Sequence, residues 1–206
     1  MKGKILAALG IVLLLATVAE AQMPREHQRG AWYIGFGLGS GEGWATDNGE
    51  SKSFTEWFDT FNMNPTKITI NFKVGATVTP NLLIGFDCSA IRAWASEEIM
   101  GENFDVAFQA NNYDGMVTFF PRGEGFFIRG GLGLAAFVTQ ISAPGNSETD
   151  TVSGFGIVFG GGYAFWLLKS FNLTLNLDYS IQSYEESDDG PDSSSFLNIY
   201  LGFDWY

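Results

Sequence analysis

The sequence predicts an all-β chain, folded as a closed, antiparallel, eight-stranded up-and-down β-barrel that spans a membrane. Three observations predict it. Residues 171–184 read F-N-L-T-L-N-L-D-Y-S-I-Q-S-Y, the period of an extended strand with one apolar and one polar face. At about 3.3 Å per residue such a segment crosses a bilayer even when tilted. Seven further segments can be read in the same way, and the chain opens on an export-type sequence.

That opening spans residues 1–21. Lys2 and Lys4 precede an apolar run over 5–18, and Ala19-Glu20-Ala21 supplies a small-x-small cleavage site, the three parts of a secretory signal. The run is short of the ~20 residues a spanning helix needs, and no later run reaches that length. The expected organisation is a signal at 1–21, a short periplasmic segment at 22–30, and a barrel domain at 31–206. Without Lys2, Lys4 and Glu20, the 11 basic and 23 acidic residues become 9 and 22, a net charge of −13. So acidic a chain gains nothing from polyphosphate, which excludes nucleic acid as a partner. Cys88 is the only cysteine, so no intramolecular disulfide forms. Its apolar parity reads as an inert thiol.

The expected strands cover 31–40, 66–78, 82–94, 104–120, 125–140, 152–168, 171–184 and 195–206. The first sets Trp32, Ile34, Phe36 and Leu38 against Tyr33, Gly35, Gly37 and Gly39. The second sets Ile68, Ile70, Phe72 and Val74 against Lys67, Thr69, Asn71 and Lys73. Phe126, Ile128, Leu132 and Leu134 oppose Arg129, Gly131 and Gly133 in the fifth, and Leu197, Ile199, Leu201, Phe203 and Trp205 oppose Asn198, Tyr200, Gly202 and Asp204 in the eighth. The fourth is the least regular, and Asn111-Asn112 is expected to break its phase at a bulge.

Thr79-Pro80-Asn81, residues 121–124 and Lys169-Ser170 read as tight turns. Residues 41–65, 95–103, 141–151 and 185–194 read as longer polar loops. Short turns at one end and long loops at the other are the pattern of transmembrane barrels, with the loops outside the cell. A soluble barrel would carry many Lys and Glu on its water-facing strand positions. Here the polar parity is mostly Gly, Asn, Thr, Ser and Ala, which suits a narrow interior. Trp32, Phe119, Phe126, Phe165, Phe171 and Trp205 fall near the short-turn end, as an aromatic girdle does.

The ending N-I-Y-L-G-F-D-W-Y over 198–206 resembles the terminal strand of bacterial outer-membrane barrels. The whole chain after the signal is similar to the small eight-stranded family that includes the OmpA transmembrane domain, OmpX and OmpW. That family usually ends on an outward aromatic, whereas Tyr206 has inward parity here. The resemblance implies a porin-like cell-envelope protein of the outer membrane, with outer-membrane lipid around it and the barrel-insertion machinery as its partner during biogenesis. A monomer is expected, with no cofactor and no metal.

Chemistry is sparse. His27 is the one histidine and precedes the first strand, and no nucleophile–base pair can be named, so no enzyme is expected. The acidic stretch 185–192 places Phe196 where a calcium loop needs its last acid, so the loop match fails. Lys67, Lys73, Asp87, Asp114, Arg129, Asp178 and Asp204 all have inward parity, and a charge in a narrow interior must be paired or wet. They form either a polar plug or a constricted conduit. Arg92 points outward, two residues before Trp94, and either reaches lipid headgroups or ends the apolar band. In the first loop, Ser53-Phe-Thr-Glu56 is a capping-box sequence, and Trp44, Phe54, Trp57, Phe58 and Phe61 offer an apolar surface. This segment reads as a lid, as a stretch that dips into the outer leaflet, as a contact for a surface partner, or as the kind of apolar ligand contact inferred for OmpW-like proteins. The expected role is a structural or surface-interacting barrel with a plugged interior; the alternative is a narrow channel for small or hydrophobic molecules.

Overall fold

The computed structural model describes residues 29–99, 102–185 and 190–206. The predicted signal, His27 and most of the expected 22–30 segment lie outside the described residues, as do positions 186–189 of the acidic stretch.

Alternation along the chain is matched by an unbroken ring of antiparallel pairing. In chain order the elements are β1 (Trp32–Asp47), β2 (Glu50–Ser53), α1 (Phe54–Asp59), β3 (Thr66–Thr79), β4 (Leu82–Ile99), β5 (Glu102–Phe119), β6 (Phe126–Ala143), β7 (Asn146–Leu168), β8 (Phe171–Tyr184) and β9 (Ser193–Trp205). Eight long strands form the wall, and β1 closes it against β9 from Ile34–Trp205 to Thr46–Ser193. β2 is a short flap on the outer end of β1, joined through Asn48-Gly49 with φ of 50° and 81°. Both residues are left-handed, as a two-residue hairpin turn requires.

The strands run further than the alternation suggests. β1 continues to Asp47, and the stretches 95–103 and 141–151, expected as loops, are largely extensions of β4, β5, β6 and β7. Backbone pairing does not need an apolar face, so the ladder persists where the apolar band has ended. The bulge expected at Asn111-Asn112 is absent, because β4 and β5 stay in register from Leu82–Phe119 to Ile99–Glu102. Shifts occur instead at Thr77/Thr79 and Trp166/Leu168, beside the short turns.

What changes at Asn111-Asn112 is the pattern of polarity. On the short-turn side, Tyr113, Val117 and Phe119 face outward and are exposed, while Asn112, Asp114 and Met116 are buried inside. Beyond it Phe104, Val106, Phe108 and Ala110 share the inward parity, and Asp105, Gln109 and Asn111 share the outward one. β4 inverts at the same height: Ile84 and Phe86 face out below, and Ile91, Ala93 and Ala95 are buried inside above. The inward apolar side chains of the outer end join Phe54, Phe58, Phe137, Tyr184 and Phe196 in one cluster. A smaller cluster of Tyr33, Leu83, Phe120, Phe127 and Ala164 fills the short-turn end. The polar interior lies between them.

Candidate functional site: a sealed interior and an outer cavity

The central interior is organised on Arg129 of β6. Its Nη1 donates to Asp87 Oδ2 at 2.9 Å and its Nε to Asp178 Oδ1 at 2.8 Å, while Nη2 reaches both Asp178 and the Tyr200 hydroxyl. The Tyr200 hydroxyl donates to Asp178 Oδ2 at 2.7 Å, and the Asn71 amide donates to Asp87. Lys73 pairs with Asp204 at 2.9 Å. All of these groups are buried. Four carboxylates thus share two cations, and the fourth acid shows the imbalance. Asp114 sits directly across from Asp87 in the ladder, is buried, and neither of its oxygens meets a protein hydrogen-bond donor. Lys67 is not part of this group. It lies at the outer seam, where β1 and β3 stop pairing beyond Gly39–Thr69, and its ammonium meets Glu42 and Thr55.

Above the charges, the Gln182 amide bridges Asn112, the Asn111 carbonyl, Ser194 and Tyr184. Then α1 closes the outer mouth. Its start is fixed locally by a complete capping box: Glu56 N–H donates to Ser53 Oγ at 3.1 Å, and Ser53 N–H donates to Glu56 Oε2 at 2.7 Å. That reciprocal pair satisfies two otherwise orphaned donors, and accepting from Ser53 holds the Glu56 carboxyl below its ordinary range. Phe54 and Phe58 of α1 are fully buried, with ring centroids 5.9 and 5.3 Å from that of Phe108. Gly43 of β1 makes room for this, since a Cβ there would collide with the Phe54 ring.

A cavity of about 700 Å³ lies against α1 at the outer end of the barrel, walled by Phe54, Trp57, Phe61, Met63, Phe104 and Ile141. Its few charged groups include Asp47 and Asp192. Phe54, Trp57 and Phe61 therefore come together here. Phe58 lies packed in the cluster without lining the cavity, and Trp44 has outward parity and takes no part. Phe104, Val106, Phe108, Phe137 and Ile141 are cavity residues that a single-facing reading of the strands misses. The signal for the three on β5 is the even-numbered apolar run 104–110.

The short-turn mouth is closed differently. The Arg29 guanidinium stands 3.6 Å over the Phe120 ring and 5.5 Å from that of Tyr206, and donates to the carbonyls of Pro80 at 2.8 Å and of Gly123. Tyr206 turns inward toward Trp166 and Tyr33, with centroids 5.5 and 6.0 Å away.

The sequence profile of the outer membrane protein beta-barrel domain matches residues 10–206. The chain belongs to this family. Among solved structures, the attachment invasion locus protein Ail of Yersinia pestis, in complex with the heparin analogue sucrose octasulfate, aligns with a TM-score of 0.56 at 13% identity, over 85% of this chain and 100% of Ail. Neisserial surface protein A aligns with a TM-score of 0.50 at 13% identity, over 86% of this chain and 99% of its own. No curated protein matches the sequence. These likenesses share the fold.

Membership in the outer-membrane barrel family places the protein in the outer membrane and gives the layers a direction. The short turns of such a barrel are periplasmic and the long hairpins extracellular. Arg29 and Tyr206 thus stand at the periplasmic mouth, and α1 with its cavity at the cell surface. Trp32, Phe119, Phe126 and Trp205 are exposed near the periplasmic turns, as an interfacial girdle of the family should be.

Proposed function

We propose that this barrel acts at the cell surface as a non-enzymatic binding protein, holding a small apolar molecule in the cavity beside α1 without passing it through. The supporting observation is the stacking along one axis: a ligand-sized apolar cavity, a packed aromatic floor, and buried ion pairs beneath. Binding pockets typically enclose about 300–1,000 Å³, are mostly apolar, and carry few polar groups. The second reading, a narrow channel for small or hydrophobic molecules, needs a path past Arg129 and its partners. Opening one would separate charges that sit out of water, which costs several kcal/mol.

The test pairs two measurements on the refolded protein. Titration with the fluorescent apolar probe N-phenyl-1-naphthylamine should saturate, and Trp57→Ala should weaken it about tenfold, the scale of a removed aromatic anchor. Planar-bilayer recordings should show no steady conductance. Large reproducible openings favour the channel, and a probe that never saturates removes the cavity from the account.

A further inference from the structure

Arg92 is the one cation of outward parity in the eight long strands among the described residues. By Arg92, β4 has run for about ten residues from Leu82, close to the length that crosses a bilayer. Below it the outward positions of β4 are Ile84, Phe86, Cys88 and Ala90, and above it Trp94 and Ser96. The inversion of the two faces occurs at the same level. The guanidinium therefore stands at the outer headgroup boundary, where an arginine is tolerated, and not at the bilayer centre, where it is not.

Its partners leave the charge free. Nη2 donates to Gln140 Oε1 at 2.9 Å and Nη1 to Gln109 Oε1 at 3.4 Å, and Gln109 in turn donates to Asn111 Oδ1 at 2.8 Å. No carboxylate of the described residues pairs with Arg92, in contrast to Lys67, Lys73 and Arg129. Neutral amides from two neighbouring strands orient the guanidinium without neutralising it. Beside it lies a depression of about 260 Å³ that also takes in Trp94, Ser96, Gln140, Ser142 and Asp105. Planar guanidinium suits phosphate. Amide, hydroxyl and carboxylate groups next to an indole suit a sugar.

We propose that Arg92, Gln109, Gln140 and Trp94 form a docking site for the phosphorylated sugar headgroup of an outer-leaflet glycolipid. The guanidinium pairs with phosphate, the amides and Asp105 meet sugar hydroxyls, and Trp94 lies against the ring. The whole chain carries a net charge of −12, so it has no overall positive charge with which to draw an anionic lipid.

Native mass spectrometry of the refolded barrel tests it, using an acylated diglucosamine lipid in phosphorylated and dephosphorylated forms. The phosphorylated lipid should be retained about tenfold better, and Arg92→Gln should lose about that factor, the scale of one charge-assisted contact. Gln140→Ala should lose about threefold through a less well-held guanidinium, and excess inorganic phosphate should not displace the lipid. Heat-modifiable gel migration reports the fold of each variant. Equal retention of both lipid forms, or undiminished retention in a folded Arg92→Gln, overturns the proposal. If that variant fails to fold, undiminished retention in Gln140→Ala overturns it too, and displacement by inorganic phosphate overturns the assignment to lipid.

Discussion

Along β5 the interior side chains are Asn112, Asp114, Met116 and Thr118 toward the periplasm, and Phe104, Val106, Phe108 and Ala110 toward the cell exterior. The outer side of the same strand runs Phe119, Val117 and Tyr113, then Asn111, Gln109 and Asp105. The backbone register is continuous throughout; only the solvent changes. Inside lipid, apolar side chains face out and polar ones are packed inward. Above it the strand follows the rule of a water-soluble barrel, with its apolar side chains gathered into a core. The two regions are therefore held by different forces, ion pairing in one and aromatic packing in the other, and they should fail separately.

Breaking the lower region should have the largest effect. Arg129→Met leaves Asp87 and Asp178 buried without their cation, which should cost about 3–5 kcal/mol. The urea midpoint of the heat-modifiable band measures this, and an unchanged midpoint would show that the charges do not hold the wall together. Phe58→Ala strikes the upper region. It should cost about 3–5 kcal/mol locally, yet leave the folded band in place. Hydrogen exchange should show lost protection confined to α1, with the apolar probe bound more weakly; loss of the whole barrel would mean the two regions are one unit.

The smallest effect concerns the cap. Glu56 has a folded pKa below its ordinary value of 4.5, so its carboxylate stabilises α1 above that value and ceases to as pH falls through the lowered one. Probe binding should be flat from about pH 8 to 5 and weaken below about pH 4, and Glu56→Gln should remove the pH dependence. A weakening already near neutrality would point to another group.

The wall was legible because each crossing keeps its period. Residues 171–184 form β8 with Asn172, Thr174, Asn176 and Asp178 buried inside, and the capping box of α1 is legible because it involves only neighbours. The upper region was not, because a reader who assigns one facing to a whole strand meets the inversion as a broken phase and the polar exterior as a loop. Asn111-Asn112 is that point. Parity brings Asp114 inside but does not tell which acid goes without a cation, since that depends on where β3, β4, β6, β8 and β9 place their charges. Arg29 had no periodic signal, and only the closed ring brings Phe120, Trp166 and Tyr206 around it.

The extended β6–β7 hairpin sets a height. From the Val138–Thr151 pair, near the headgroup boundary, both strands continue to Ala143–Asn146. At about 3.3 Å per residue and the usual barrel tilt, that lifts Pro144-Gly145 roughly 15–20 Å clear of the lipid. Gly145 has open space around it, with φ of 81°. A macromolecule approaching this hairpin from outside would meet the tip before Ile141 and Thr139, which wall the cavity lower on the same strand.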